Sequence, residues 1–259
     1  MVRLRSQILS FFGGLLAVGS HVSLGAEFFQ LTSHQHGITG APSATLTQGG
    51  YELSLLPSPA GSLLNETSSG GLGIDSSPIV RTENESPTRR SFFNLLGGGP
   101  SAGAGESATF SFNRPGILQS LHFDGVKDET FEHFRLNLPS GGVLTLMDYE
   151  VETRLQEQGF TLAAITLPGL TFLSDGNDDR LGLNIPFNAG DQFTLTYGEF
   201  PYPPGYAPRG GESPNGARWE GVVVSPEPAS SVLALVASLL VACRHRRDSR
   251  RCKHQSNTP

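Results

Sequence analysis

Cysteine is missing from nearly the whole chain. The two that exist, Cys243 and Cys252, both lie close to the C-terminus. The long stretch before them can therefore hold no disulfide framework and no thiol nucleophile. Lysine is almost as scarce, with Lys127 alone between the two ends of the chain. Residues 27–225 hold 10 Lys and Arg against 22 Asp and Glu, a net charge of −12 where the whole chain carries −6. That balance argues against nucleic acid as a partner and against adsorption to anionic lipid. It suits a soluble, cation-attracting surface outside the cell. His-Glu-x-x-His, a phosphate-binding loop and a dinucleotide fingerprint are all missing, and the Gly-x-Ser-x-Gly match at Gly99-Pro100-Ser101-Ala102-Gly103 lies in a glycine-rich stretch rather than between an expected strand and helix. Nothing in the sequence reads as an enzyme, and no cofactor is expected beyond the one candidate cation, Ca²⁺. No apolar run reaches the ~20 residues that a helix needs to cross a bilayer.

What the chain has in quantity is glycine (32) and proline (18). They punctuate short apolar–polar alternations, which favours strands over helices. Ala44–Thr47 and Tyr51–Leu56 read as a hairpin turned by Gly49-Gly50. Pro57–Gly70 reads as a loop, Gly71–Asp75 as a short strand, and 76–106 as a long polar excursion. From Ser107 to Asn113, Ala108, Phe110 and Phe112 share one face. Pro115-Gly116 turns this strand toward Ile117–Phe123 as its expected partner. Phe131–Leu138 and Val143–Asp148 form a second hairpin around Pro139–Gly142. Glu150–Gln158 reads as one short amphipathic helix. Phe160–Leu167, Leu170–Leu173, Phe193–Tyr197 and Arg218–Val224 supply further strands. The expectation is an all-β single domain over 27–224, a β-sandwich or jelly roll.

Within that domain the densest oxygen cluster is Asp175, Asn177, Asp178 and Asp179, between two expected strands. Four such side chains in five residues could supply part of a Ca²⁺ shell of about six to eight oxygens. The spacing is not that of an EF-hand, because Arg180 and Pro186 stand where its glycine and glutamate belong. The alternative is a solvated turn whose side chains satisfy backbone donors. Asp124, Asp128 and Glu129 make a second acidic loop. Tyr202, Tyr206 and Trp219, the first two in a proline-rich stretch, could present aromatic faces to a sugar or pack on the domain's own core. His34 and His36 lie on one side of an extended segment without a third ligand nearby. His122 and His133 fall on expected strands and read as structural.

The two ends carry addresses. Arg3 and Arg5, an apolar run from Ile8 to Val18, and small residues at Gly19, Ser20, Ser23, Gly25 and Ala26 describe a secretory signal peptide over 1–26. At the other end, Pro226-Glu227-Pro228 precedes an apolar stretch, 229–243. Arg244, Arg246 and Arg247 then open a basic tail. Fifteen residues of helix span roughly 22 Å, short of the ~30 Å hydrocarbon core. The arginines hold this end on the cytoplasmic side, with the body of the chain outside.

These three parts in order resemble the PEP-CTERM sorting tag of Gram-negative bacteria, here over 225–259. His245 interrupts the basic cluster, and the tail runs on to Pro259. The resemblance implies a membrane-inserted precursor whose tag is read and removed by a membrane-embedded exosortase-type enzyme. It also associates such chains with exopolysaccharide and biofilm. Gly105–Phe112 and Phe187–Leu195 look like sandwich domains common in proteins with this tag. Three functions stand open at this point: a non-enzymatic envelope or matrix protein, a surface carbohydrate-binding module, and a secreted hydrolase with carboxylate chemistry.

Overall fold

The computed structural model describes residues 25–32, 36–67, 71–76, 93, 105–126, 131–164, 167–173, 179–199, 203–206 and 216–227. The expected signal peptide up to residue 24, and the tag from Pro228 onward, lie outside them. Most of 76–106 does too. Among the described residues no helix is long and apolar enough to cross a membrane.

Alternation of side chains across the pleat builds most of the molecule. The clearest case is β3 (Tyr51–Ser58), in which every second residue is buried. The described strands assemble into two sheets. The first runs β11 (Asp179–Phe187), β7 (Gly116–Asp124), β13 (Arg218–Ser225), β5 (Gly71–Asp75), β4 (Leu63–Thr67), with β1 (Glu27–Gln30) also on β13. The second runs β10 (Leu170–Phe172), β9 (Val143–Met147), β8 (Glu132–Asn137), β12 (Gln192–Glu199), β6 (Ser107–Phe112), β3, β2 (Ala44–Gln48). Pairing is antiparallel except between β9 and β10. The chain between those two carries the helix α1 (Val151–Glu157), as a parallel pair requires a crossover rather than a tight turn.

One apolar core joins the two sheets. Phe110 of the second sheet stacks on Phe193 at 5.0 Å and meets Trp219 of the first at 4.9 Å. Phe123 and Phe134 stack across the same space at 4.6 Å. A satellite cluster of Phe131, Met147, Val151 and Leu155 lies elsewhere. Leu146 belongs to the main core and its neighbour Met147 to the satellite. Consecutive strand residues face opposite ways, so α1 and its flanks cover the outer face of the second sheet.

Four expectations change here. Asn113–Pro115 does turn the chain after β6, but β7 pairs with β11 and β13 in the other sheet, not with β6. Tyr51 Oη donates to Pro115 O at 3.1 Å and Glu52 N donates to Asn113 Oδ1 at 2.8 Å, which tethers this arch to β3. Pro57–Gly70 is not one loop. β3 runs through Pro57, and Leu63–Thr67 forms β4 because Leu64 reaches the core. Phe160–Leu167 contains a 3₁₀ turn (Leu162–Ala164) in place of a strand. Its apolar side chains pack on the satellite cluster instead of pairing. β1 and β11 were not anticipated, although Leu181, Leu183, Ile185 and Phe187 alternate along β11.

Strand register divides the molecule into two ends. The turns at 49–50, 113–115, 138–142 and 188–191 lie at one, the turn end. The strand ends Ser58, Asp75, Asp124, Phe172 and Glu199 and the strand starts Leu63, Ser107, Glu132, Asp179 and Arg218 lie at the other, the loop end. Glu27 pairs with Val224, so the chain enters and leaves the domain at the turn end, on neighbouring strands.

Candidate functional site

The loop end gathers the acidic residues that matter most. Asp179 opens β11 opposite Phe123, the neighbour of Asp124 at the end of β7. Asp148 follows β9. Register thus brings Asp179, the last residue of the expected 175–179 cluster, beside Asp124, the first of the second acidic loop. Asp175, Asn177, Asp178, Asp128 and Glu129 lie outside the described residues. Asp179 is buried at 9% exposure. Burial pushes its carboxyl up to about 7, and the charges of Asp148 and Asp124 add to the shift. A hydrogen bond shared with the Asp148 carboxyl acts the same way, while one from the Val126 backbone opposes it. Asp148 also accepts from the Glu150 amide at 2.7 Å. Arg218 Nη1 meets Asp124 Oδ2 at 3.3 Å.

This arrangement keeps the Asp179 carboxyl protonated up to about neutral pH. Among the described residues no group of three or more His, Cys, Asp or Glu is placed to hold a metal ion. Asp179, the one described member of the expected Ca²⁺ cluster, faces inward from a strand, not into a solvated turn.

The aromatic triad does not form one surface. Trp219 is 0% exposed. Its indole packs on Phe110 and donates to Gly221 O at 2.8 Å. It has no face left for a sugar, because its alternation on β13 points it into the core. Tyr206 is half-buried against Phe131 at 4.9 Å, with Phe160 near it at 6.1 Å. Tyr202 lies outside the described residues.

The histidines separate as well. His34 is outside the described residues, and exposed His36 hydrogen-bonds Gln30 O through Nε2 at 2.7 Å. His122 Nε2 lies 2.9 Å from Ser120 Oγ, with the Phe28 ring 5.1 Å from the imidazole. The pair is half-buried on the face of the first sheet opposite core-facing Leu121 and Phe123. His133 is buried, and desolvation brings its pKa down to about 4. A Cβ at Gly198 would come within 2.8 Å of the His133 ring, so glycine makes room for the imidazole.

Sequence reasoning missed three buried glutamates. Glu66, Glu106 and Glu132 are each at most 1% exposed. Glu132 Oε1 accepts from Gly216 N at 3.2 Å. Their signal was available for Glu106 and Glu132, which stand two residues before core-facing Ala108 and Phe134.

At the C-terminal end, β13 stops at Ser225. Pro226 is half-buried and Glu227 exposed. Pro228, Arg244, Arg246 and Arg247 lie outside the described residues. Comparison with family models, curated proteins and solved structures finds no match for this chain.

Proposed function

We propose that the chain is a non-enzymatic exported protein of the cell envelope or extracellular matrix. Its body is a β-sandwich of jelly-roll type. A signal peptide delivers it, and a C-terminal PEP-CTERM tag holds it in the membrane until an exosortase-type enzyme removes the tag. Exopolysaccharide is the partner class that the tag associates with such chains.

The observation that supports this reading best is the pairing of the first strand with the last, Glu27 opposite Val224. A precursor held in one membrane by both its ends needs a domain whose ends emerge together. Antiparallel neighbours lie about 5 Å apart, so the two membrane segments would leave the domain side by side. The same placement points the loop end away from the bilayer. The acidic balance of residues 27–225 adds support, since it resists adsorption to an anionic surface.

The test is location. Full-length chain is expressed in a Gram-negative host, and spheroplasts are treated with protease from outside. The expected result is digestion of the domain while cytosolic markers survive. A domain that stays protected in intact spheroplasts would contradict export.

A further inference from the structure

We propose that the folded domain occludes the strand that leads into its own sorting motif, so that removal of the tag competes with closure of the first strand onto the last. This rests on the sorting reading given above and deepens it.

The strand that leads into the motif has no free edge. β7 pairs with β13 from Arg218 to Ser225, and β1 pairs along the other side from Gly221 to Val224. Val222 and Val224 are fully buried, and Ser225 is 8% exposed. Ser225 is fastened further: Gln119 Nε2 donates to its Oγ at 2.8 Å. Its carbonyl lies against Gly116, where a Cβ would come within 2.7 Å. Pro226 is half-buried, so freely exposed chain begins only at Glu227.

An enzyme that grips a peptide as an extended strand needs an unpaired backbone edge. Residues 221–224 offer none while β1 is docked. The folded domain therefore presents at most the motif itself, with no free backbone edge at residues 221–224 before it. Of the two strands that flank residues 221–224, β1 opens at lower cost than β7. It is four residues long, with Phe29 its one buried side chain and Phe28 40% exposed. Short terminal strands with few buried contacts open first. β1 also begins just after the expected signal-peptide cut. The latch is thus the first folded segment of the mature chain.

The chemistry being gated is cleavage of one peptide bond. The acyl C–N bond at the motif breaks, and the acyl carbon bonds to the oxygen of water or the nitrogen of an acceptor amine. The departing tag takes a proton on its new amino group.

The test uses full-length chains in a host with a sorting enzyme of this class, and reads the rate at which the shortened C-terminus appears after a pulse of synthesis. One variant carries six Gly and Ser residues inserted between Ser225 and Pro226. Another combines Phe28→Cys with Val223→Cys, a directly opposed pair whose expected spacing suits a disulfide. Phe28→Cys alone is its control. The spacer should speed processing several-fold, and the crosslinked pair, which denies the opening altogether, should slow it by at least tenfold. Equal rates in the natural, spacer and crosslinked chains would overturn the gate while leaving the tag in place. No processing in any of them would overturn the sorting reading, and the gate with it.

Discussion

Asp179 and His133 pull the pH dependence of stability in opposite directions. His133 is held near 4 in the folded chain, below its ordinary 6.5. Between those values the unfolded chain binds the extra proton, so this group makes stability rise with pH. Asp179 is raised to about 7 from its ordinary 3.8. Over that interval the folded chain holds the extra proton, so this group makes stability fall as pH rises. The two contributions offset each other from about pH 4 to 6.5. Asp179→Asn keeps the shape of the protonated acid and removes its titration. Urea unfolding of that variant should show stability climbing with pH by about 1 kcal/mol per unit across this window. A profile no steeper than that of the natural chain would contradict the placement of these two groups. Neither property could be read from the sequence, where Asp179 looks like one more residue of a polar turn. Only the pairing with β7 turns it inward.

The elements differ in how openly the sequence announces them. β6 is legible because Ala108, Phe110 and Phe112 alternate with polar residues. Its turn is legible too, but the partner of β7 is not, because period-2 patterning states which face is buried and never which sheet receives the strand. β11 alternates as plainly, yet Gly182, Asn184 and Pro186 on its exposed positions read as loop residues. The helix α1 was expected from Val151 and Leu155, and both are buried in the satellite cluster. That cluster is small and separate from the main core, so it should yield first. Leu155→Ala should cost about 2–4 kcal/mol locally. Hydrogen exchange should then accelerate across residues 150–173 and leave β6, β7 and β12 protected. Loss of protection throughout both sheets would show that the satellite is not an independent unit.

For the whole molecule, the decisive property is the placement of its ends. Apolar–polar alternation and turn residues point to an all-β body, and the described residues are mostly strand, in two sheets that share an aromatic core. The approach of Asp179 to Asp124, and the adjacency of β1 and β13, come from long-range pairing that local sequence does not encode. Those two facts give the domain a direction, with the described tight turns, the start of β1 and the end of β13 at one pole and Asp179 and Asp124 at the other. The sorting claim is tested most directly by the mature C-terminus. Full-length chain is made in a host with an exosortase-type enzyme and in one without it, and the end of the chain is read by mass spectrometry. The account predicts an end between Pro226 and Pro228 only where the enzyme is present. An intact Pro259 in both hosts would contradict it.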